Sequence, residues 1–88
     1  MKFLKCPNAI TLYTRPMCSW CIDAKAWLDE QGLKYTLFDV GADQAARQTS
    51  IQLSGDTVVP VIEVDGHVLG DFDVGQLKKF LKQHGYLA

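Results

Sequence analysis

Leu12-Tyr13-Thr14-Arg15-Pro16-Met17-Cys18-Ser19-Trp20-Cys21 is the stretch that decides the fold. The apolar, β-branched run Ala9 to Thr14 reads as a short buried strand. Arg15-Pro16 ends it, because a residue before proline is pushed out of the helical region. From about Cys18 to Gln31 the pattern turns helical. Cys21, Ala24 and Leu28 share one face at i, i+3 and i+7, Trp27 lies beside them, and Gly32 is placed to end the helix. Two cysteines three apart at a helix start lie on the same side of its first turn, within reach of a disulfide. Backbone N–H groups there lack helical partners and the macrodipole is positive. A thiolate is favoured at Cys18; in such motifs thiol pKa values fall to roughly 3.5–7.5. Cys21, one turn in on the apolar face, should be buried and keep its proton. The pair divides into an attacking and a resolving sulfur.

The rest of the chain extends this strand–helix start. Tyr35 to Val40 reads as a second strand, and Ala42 to Leu53 as a polar helix closed off by Ser54-Gly55-Asp56. Pro60 opens a strand, Val61 to Val64. Asp65-Gly66 is a preferred two-residue hairpin turn, and His67-Val68-Leu69 returns. After the loop Gly70-Asp71-Phe72, Asp73 and Gln76 have capping-box spacing. The last helix carries Val74, Leu77, Phe80, Leu81 and His84 along one stripe. The order is β-α-β-α-β-β-α. A βαβ unit requires parallel strands and a right-handed crossover, and the hairpin adds antiparallel strands to the same sheet. The expectation is a three-layer α/β/α thioredoxin fold with a four-stranded mixed sheet, one domain over residues 1–88.

Composition limits what such a domain does. Apolar residues are 48% and charged residues 22%, an ordinary globular balance. The net charge of −1, with no run of five like charges, argues against nucleic acid or an anionic membrane as partner. Met1-Lys2-Phe3-Leu4-Lys5-Cys6-Pro7 is too poor in apolar residues for a signal peptide, and no stretch approaches the ~18 apolar residues of a membrane span. A cytoplasmic setting is expected, where a Cys-x-x-Cys is catalytic or metal-binding rather than a structural staple. Zinc would need about four closely spaced ligands, and the only other candidates are Cys6, His67 and His84. Both histidines are expected at the surface, so redox chemistry is favoured over a metal. Cys6 should lie about 20 Å from Cys18, at the other end of the sheet, as a partly buried incidental thiol.

Together these residues resemble glutaredoxins over nearly the whole chain. The resemblance rests on Leu12 to Cys21, Gly32-Leu33-Lys34-Tyr35, Val59-Pro60, and Gly70 to Asp73 before the last helix. It implies a thiol–disulfide oxidoreductase with glutathione as co-substrate and no tightly bound cofactor, acting as a monomer. Its partners would be disulfide-containing or glutathionylated proteins. Val59-Pro60 looks like the family's cis-proline motif, which turns the Val59 backbone toward the nucleophile for β-type pairing with substrate. A trans proline that merely begins a strand is the alternative. Arg15 stands where glutaredoxins usually carry lysine, and could stabilise the Cys18 thiolate and attract a glutathione carboxylate. Backbone N–H groups of Phe72 and Asp73 would receive the γ-glutamyl end of glutathione. Trp20, between the cysteines, is either a contact for protein partners or packed on the neighbouring loop.

Three departures bear on the reductant. The family's Gly-Gly pair reads Gly70-Asp71, its threonine before Val-Pro is Val58, and Ser19 replaces a common proline. Asp71 would repel the ligand's carboxylate, although it could pair with its amino group. The runs Ser54 to Ile62, Asp65-Gly66 and Gly70 to Asp73 also resemble bacterial and archaeal glutaredoxin-like redoxins, some of which are reduced by thioredoxin reductase. Lack of the proline is associated with glutathione-ligated [2Fe–2S] dimers, a rival function, as is a non-catalytic adaptor with vestigial cysteines.

Overall fold

The computed structural model describes residues 2–88; Met1 lies outside the described residues. Seven elements follow in the order β1 (Ile10–Thr14), α1 (Ser19–Glu30), β2 (Thr36–Asp39), α2 (Gln44–Ser54), β3 (Val61–Val64), β4 (His67–Gly70) and α3 (Val74–Gln83). They build the expected thioredoxin-like fold, with strand order β2-β1-β3-β4. β1 and β2 are parallel, with Leu12 opposite Leu37; β1–β3 and β3–β4 are antiparallel.

Alternation along the strands sends side chains to two cores, because successive residues point to opposite faces. Ile10, Leu12, Ile62 and Val64 meet Ala24, Trp27 and Leu28 of α1 and Leu77, Phe80 and Leu81 of α3. Tyr13 and Val61 turn the other way, onto Ala46 and Leu53 of α2. Leu12, Ile62 and Leu77 are entirely removed from water, and each contributes about 1.5–3 kcal/mol of hydrophobic stabilisation. Phe72, at the start of α3, is just as deeply buried.

Element ends follow local chemistry more closely than the coarse sequence pattern does. The second helix begins at Gln44 rather than Ala42, because the Asp43 carboxylate caps it by accepting from the Ala46 N–H at 3.0 Å. The capping box of α3 forms as expected: Asp73 accepts from the Gln76 N–H at 2.8 Å, and Gln76 Oε1 accepts from the Asp73 N–H at 3.1 Å. In the hairpin, Asp65 and Gly66 both have positive φ (50° and 91°), as a type I′ turn requires. His84 sits just past α3 instead of inside it, and is half-buried rather than fully at the surface. Its ring stacks on exposed His67 with centroids 4.0 Å apart.

The chain ends meet at the end of the sheet where β1 begins. Phe3 bridges to Leu87, Leu4 donates to the Tyr86 carbonyl, and Ala88 donates to that of Lys2. Asp65 accepts from the N–H groups of Asn8 and Ala9 and, at 2.6 Å, from the Tyr86 hydroxyl. Cys6 lies in this N-terminal segment, before β1, and is exposed rather than partly buried. The segment is held by backbone pairing, which leaves that side chain outside.

Candidate active site

The site forms at the opposite end, where β1 stops and α1 starts. Cys18 is not inside the first turn but caps it, with extended backbone (φ −90°, ψ 109°). Its sulfur accepts from the Cys21 N–H at 3.2 Å. Ser, Thr, Asp or Asn usually supply that acceptor; here a thiol group does. No acidic side chain stands in the first turn to compete for the positive helix end. Cys21 is buried against the core side of α1, Cys18 is half-buried, and the two are joined in a disulfide with Cα atoms 5.2 Å apart. That separation is normal for a disulfide.

The loop before the nucleophile carries a conformation that sequence pattern did not reveal. Met17 follows Pro16 with φ 63°, a left-handed position for a bulky residue, and its side chain is almost wholly in solvent. Across the site the Val59–Pro60 peptide is cis, as the resemblance implied. Pro60 is buried, and its carbonyl accepts from the Asp71 N–H at 2.8 Å, which ties this loop to the start of the last one. Asp71 is also left-handed (φ 52°), which a short polar side chain tolerates, and it is exposed.

The remaining expected residues are placed as follows. Arg15 is exposed, and its guanidinium donates to the Thr57 carbonyl at 3.4 Å, linking the catalytic loop to the segment before the cis-proline. Trp20 is exposed on the first turn of α1. Phe72 offers only its backbone, since its ring fills the core. The Asp73 N–H faces the same end of the site but is already engaged by Gln76 Oε1. Gln76 was legible only as a helix cap; its consequence for a ligand at Asp73 follows from the geometry. Among the described residues, no group of three or more His, Cys, Asp or Glu side chains could hold a metal ion. Of the candidate zinc donors, His67 and His84 stack on each other at the end of the sheet where β1 begins, apart from the Cys18–Cys21 disulfide.

A buried sulfur held one turn behind a half-buried, N–H-bonded one, beside a cis-proline, is what reversible dithiol–disulfide chemistry needs. The glutaredoxin family model matches residues 10–69 of this chain. This chain belongs to the glutaredoxin family. Glutaredoxin 3 of Escherichia coli K12 is 33% identical over 64 residues, covering 73% of this chain and 77% of that protein. An uncharacterized glutaredoxin-like 8.6 kDa protein in the rubredoxin operon of Clostridium pasteurianum is 28% identical over 84% of this chain and 99% of its own length. The crystal structure of the thioredoxin-like protein BC3987 superposes with a TM-score of 0.74 at 32% identity, over 82% of this chain and 99% of that one. This glutaredoxin-like chain is a thiol oxidoreductase whose Cys18–Cys21 pair is built to form a disulfide.

Proposed function

We propose that this glutaredoxin reduces protein disulfides and glutathione mixed disulfides, with glutathione restoring its dithiol. The observation that carries the proposal is the capping position of Cys18, where a backbone N–H meets the sulfur. The Cys18 thiolate attacks one sulfur of the substrate disulfide, and the other substrate sulfur leaves as a thiolate that takes a proton from solvent. Cys21 loses its proton and attacks Cys18, which releases the second substrate sulfur. The substrate gains two electrons and two protons, and the Cys18–Cys21 disulfide records the loss. Two glutathione molecules then reduce that disulfide and become glutathione disulfide. When the substrate is itself a glutathione adduct, Cys18 alone can take the glutathione and a second glutathione can remove it.

Each neighbour has a part in this reading. The Val59 backbone pairs with the extended substrate beside Pro60, Arg15 attracts a carboxylate, and Trp20 contacts the partner. The backbone at Phe72 and Asp73 receives the γ-glutamyl end. Action as a monomer in the cytoplasm belongs to the same proposal. One observation favours a different reductant, thioredoxin reductase: the Asp73 N–H is satisfied by Gln76, and the exposed Asp71 carboxylate stands beside it.

A coupled NADPH assay separates the two. Glutathione with glutathione reductase should sustain turnover, and thioredoxin reductase should not; the reverse result would overturn glutathione coupling. Asp71→Gly should lower the KM for glutathione mixed disulfides several-fold, because it removes an exposed like charge worth about 0.2–1 kcal/mol. The gain should fade as ionic strength rises toward ~1 M. A higher KM would mean that Asp71 pairs with the ligand's amino group.

A further inference from the structure

Resting on the thiol–disulfide reading, we propose a second substrate subsite on the β2 flank of α1, where an apolar side chain of a protein substrate docks. Strand order separates the two flanks of the site. β3 and β4, with the Val59–Pro60 and Asp71–Asp73 loops at their ends, lie on one side of β1, and β2 lies on the other. The β2 side holds a groove of about 250 Å³, lined by Thr14 to Pro16, Cys21, Ile22, Lys25, Leu37 and Asp39. An open groove of that size has room for a side chain carried on a polypeptide.

Two of the groove's residues break the rule that placed the rest of their elements. Ile22 stands on the solvent side of α1, 59% exposed, and Leu37 lies on edge strand β2, 43% exposed. The only other large apolar side chains this exposed among the described residues are Met17, Trp20 and distant Leu4. Four of the five therefore surround the redox pair, and an apolar cluster beside a reactive group marks an interaction surface. The groove runs into Cys21 and the loop that carries Cys18, so whatever brings a disulfide to Cys18 continues onto it. Arg15, at the groove's rim, is the one lining residue outside the redox pair that the glutathione reading also uses; the rest of a glutathione seated toward Phe72 lies on the far side of β1. A polypeptide extends past the sulfur in both directions and can reach both flanks. The occupant is thus the protein substrate, with an apolar residue near its reacting cysteine.

The test is single-turnover oxidation of the fully reduced protein, followed by tryptophan fluorescence. One arm uses insulin as the protein disulfide and the other uses oxidised glutathione. Ile22→Ser/Leu37→Ser should lower the second-order rate constant with insulin about five- to ten-fold, the scale of losing an interface anchor. The rate with oxidised glutathione should stay within about two-fold, since both side chains are solvent-exposed. The conservative pair Ile22→Val/Leu37→Ile should keep most of the insulin rate. An unchanged insulin rate in the serine variant would overturn the subsite. Equal losses on both substrates would also overturn it, placing these residues in the support of the redox pair. A wild-type dimer in sedimentation equilibrium that the serine variant abolishes would give the groove to a second copy of this chain. Failure of the wild type to react with either disulfide would sink the oxidoreductase reading instead.

Discussion

At one end of the sheet Asp65 gathers the Asn8 and Ala9 N–H groups and the Tyr86 hydroxyl, while Lys5 lies over the Tyr86 ring at 4.8 Å. Both chain ends are tied there. At the other end Met17 and Asp71 take left-handed backbone outside any hairpin, whereas Asp65 does so inside the two-residue turn that calls for it, and Met17, Trp20 and Ile22 stand in water. Each end also has a cysteine that solvent can reach: exposed Cys6 at the first and half-buried Cys18 at the second. Exposure does not distinguish them in the direction function needs. The difference is that Cys18 closes the loop after β1 and caps α1, so a backbone N–H points at its sulfur. Chemistry sits where a helix cap meets an unfinished apolar surface, and the tied end supports it.

The largest expected effect separates the two cysteines. Cys18→Ser should abolish disulfide reduction, because among the described residues no other sulfur receives a helix-end N–H. Cys21→Ser should lose protein disulfide reduction yet keep part of the turnover on glutathione adducts, which needs one sulfur. Cys6→Ser should leave both rates within about two-fold. A dead Cys6 variant, or an active Cys18 variant, would remove the contrast between the ends.

The tied end should answer to stability and pH rather than to rate. Hydrogen bonding from Tyr86, then from the Ala9 and Asn8 backbone, with Lys5 adding its charge, lowers the Asp65 pKa. A depressed carboxyl contributes stability above its unfolded pKa, near 3.9, and loses it as pH falls through the lower folded value. The bond to Asp65 and burial raise Tyr86, and burial with the Asp29 bond pushes Tyr35 up to about 12. Their contributions are complete below pH ~10 and are lost as pH rises through the folded values. Asp65→Asn should lower the thermal midpoint at pH 7 and flatten the acid side of the stability profile. Its oxidation rate by glutathione disulfide should be unchanged. An unaltered acid limb would show that the tie does not depend on this carboxylate.

A smaller effect is expected at the strained end. Met17 pays for φ 63° with no packing in return, since its side chain is 96% exposed. Met17→Gly should therefore raise unfolding stability by about 1 kcal/mol in urea titration, the scale of a left-handed penalty. A loss of stability would mean that the methionine holds the loop after all.

Periodicity and punctuation made most of the fold legible. Apolar alternation marked β1 and β3, Asp65-Gly66 marked the hairpin, and Asp73 with Gln76 marked the start of α3, all within a few residues of their observed places. The redox pair was equally plain, because its spacing and helix start are local. What was hidden depends on distance or on single dihedrals. Asn8 and Asp65 are 57 residues apart, and nothing in either neighbourhood announces the bond. Left-handed Met17 and Asp71 escape a rule that looks for glycine. Ile22 left a faint trace, an apolar residue off the stripe of its own helix, but pattern alone does not separate that from chance.

Competitive alkylation of the fully reduced protein sets the helix cap at Cys18 against plain exposure at Cys6. Iodoacetamide at about pH 6, quenched at short times and mapped by mass, ranks the three thiols by thiolate content as well as access. Access alone favours exposed Cys6 over half-buried Cys18. Cys18 should be modified first, well ahead of Cys6 and buried Cys21. Modification of Cys6 at the same rate or faster would contradict it, because the helix cap would then give Cys18 no advantage over the greater access of Cys6.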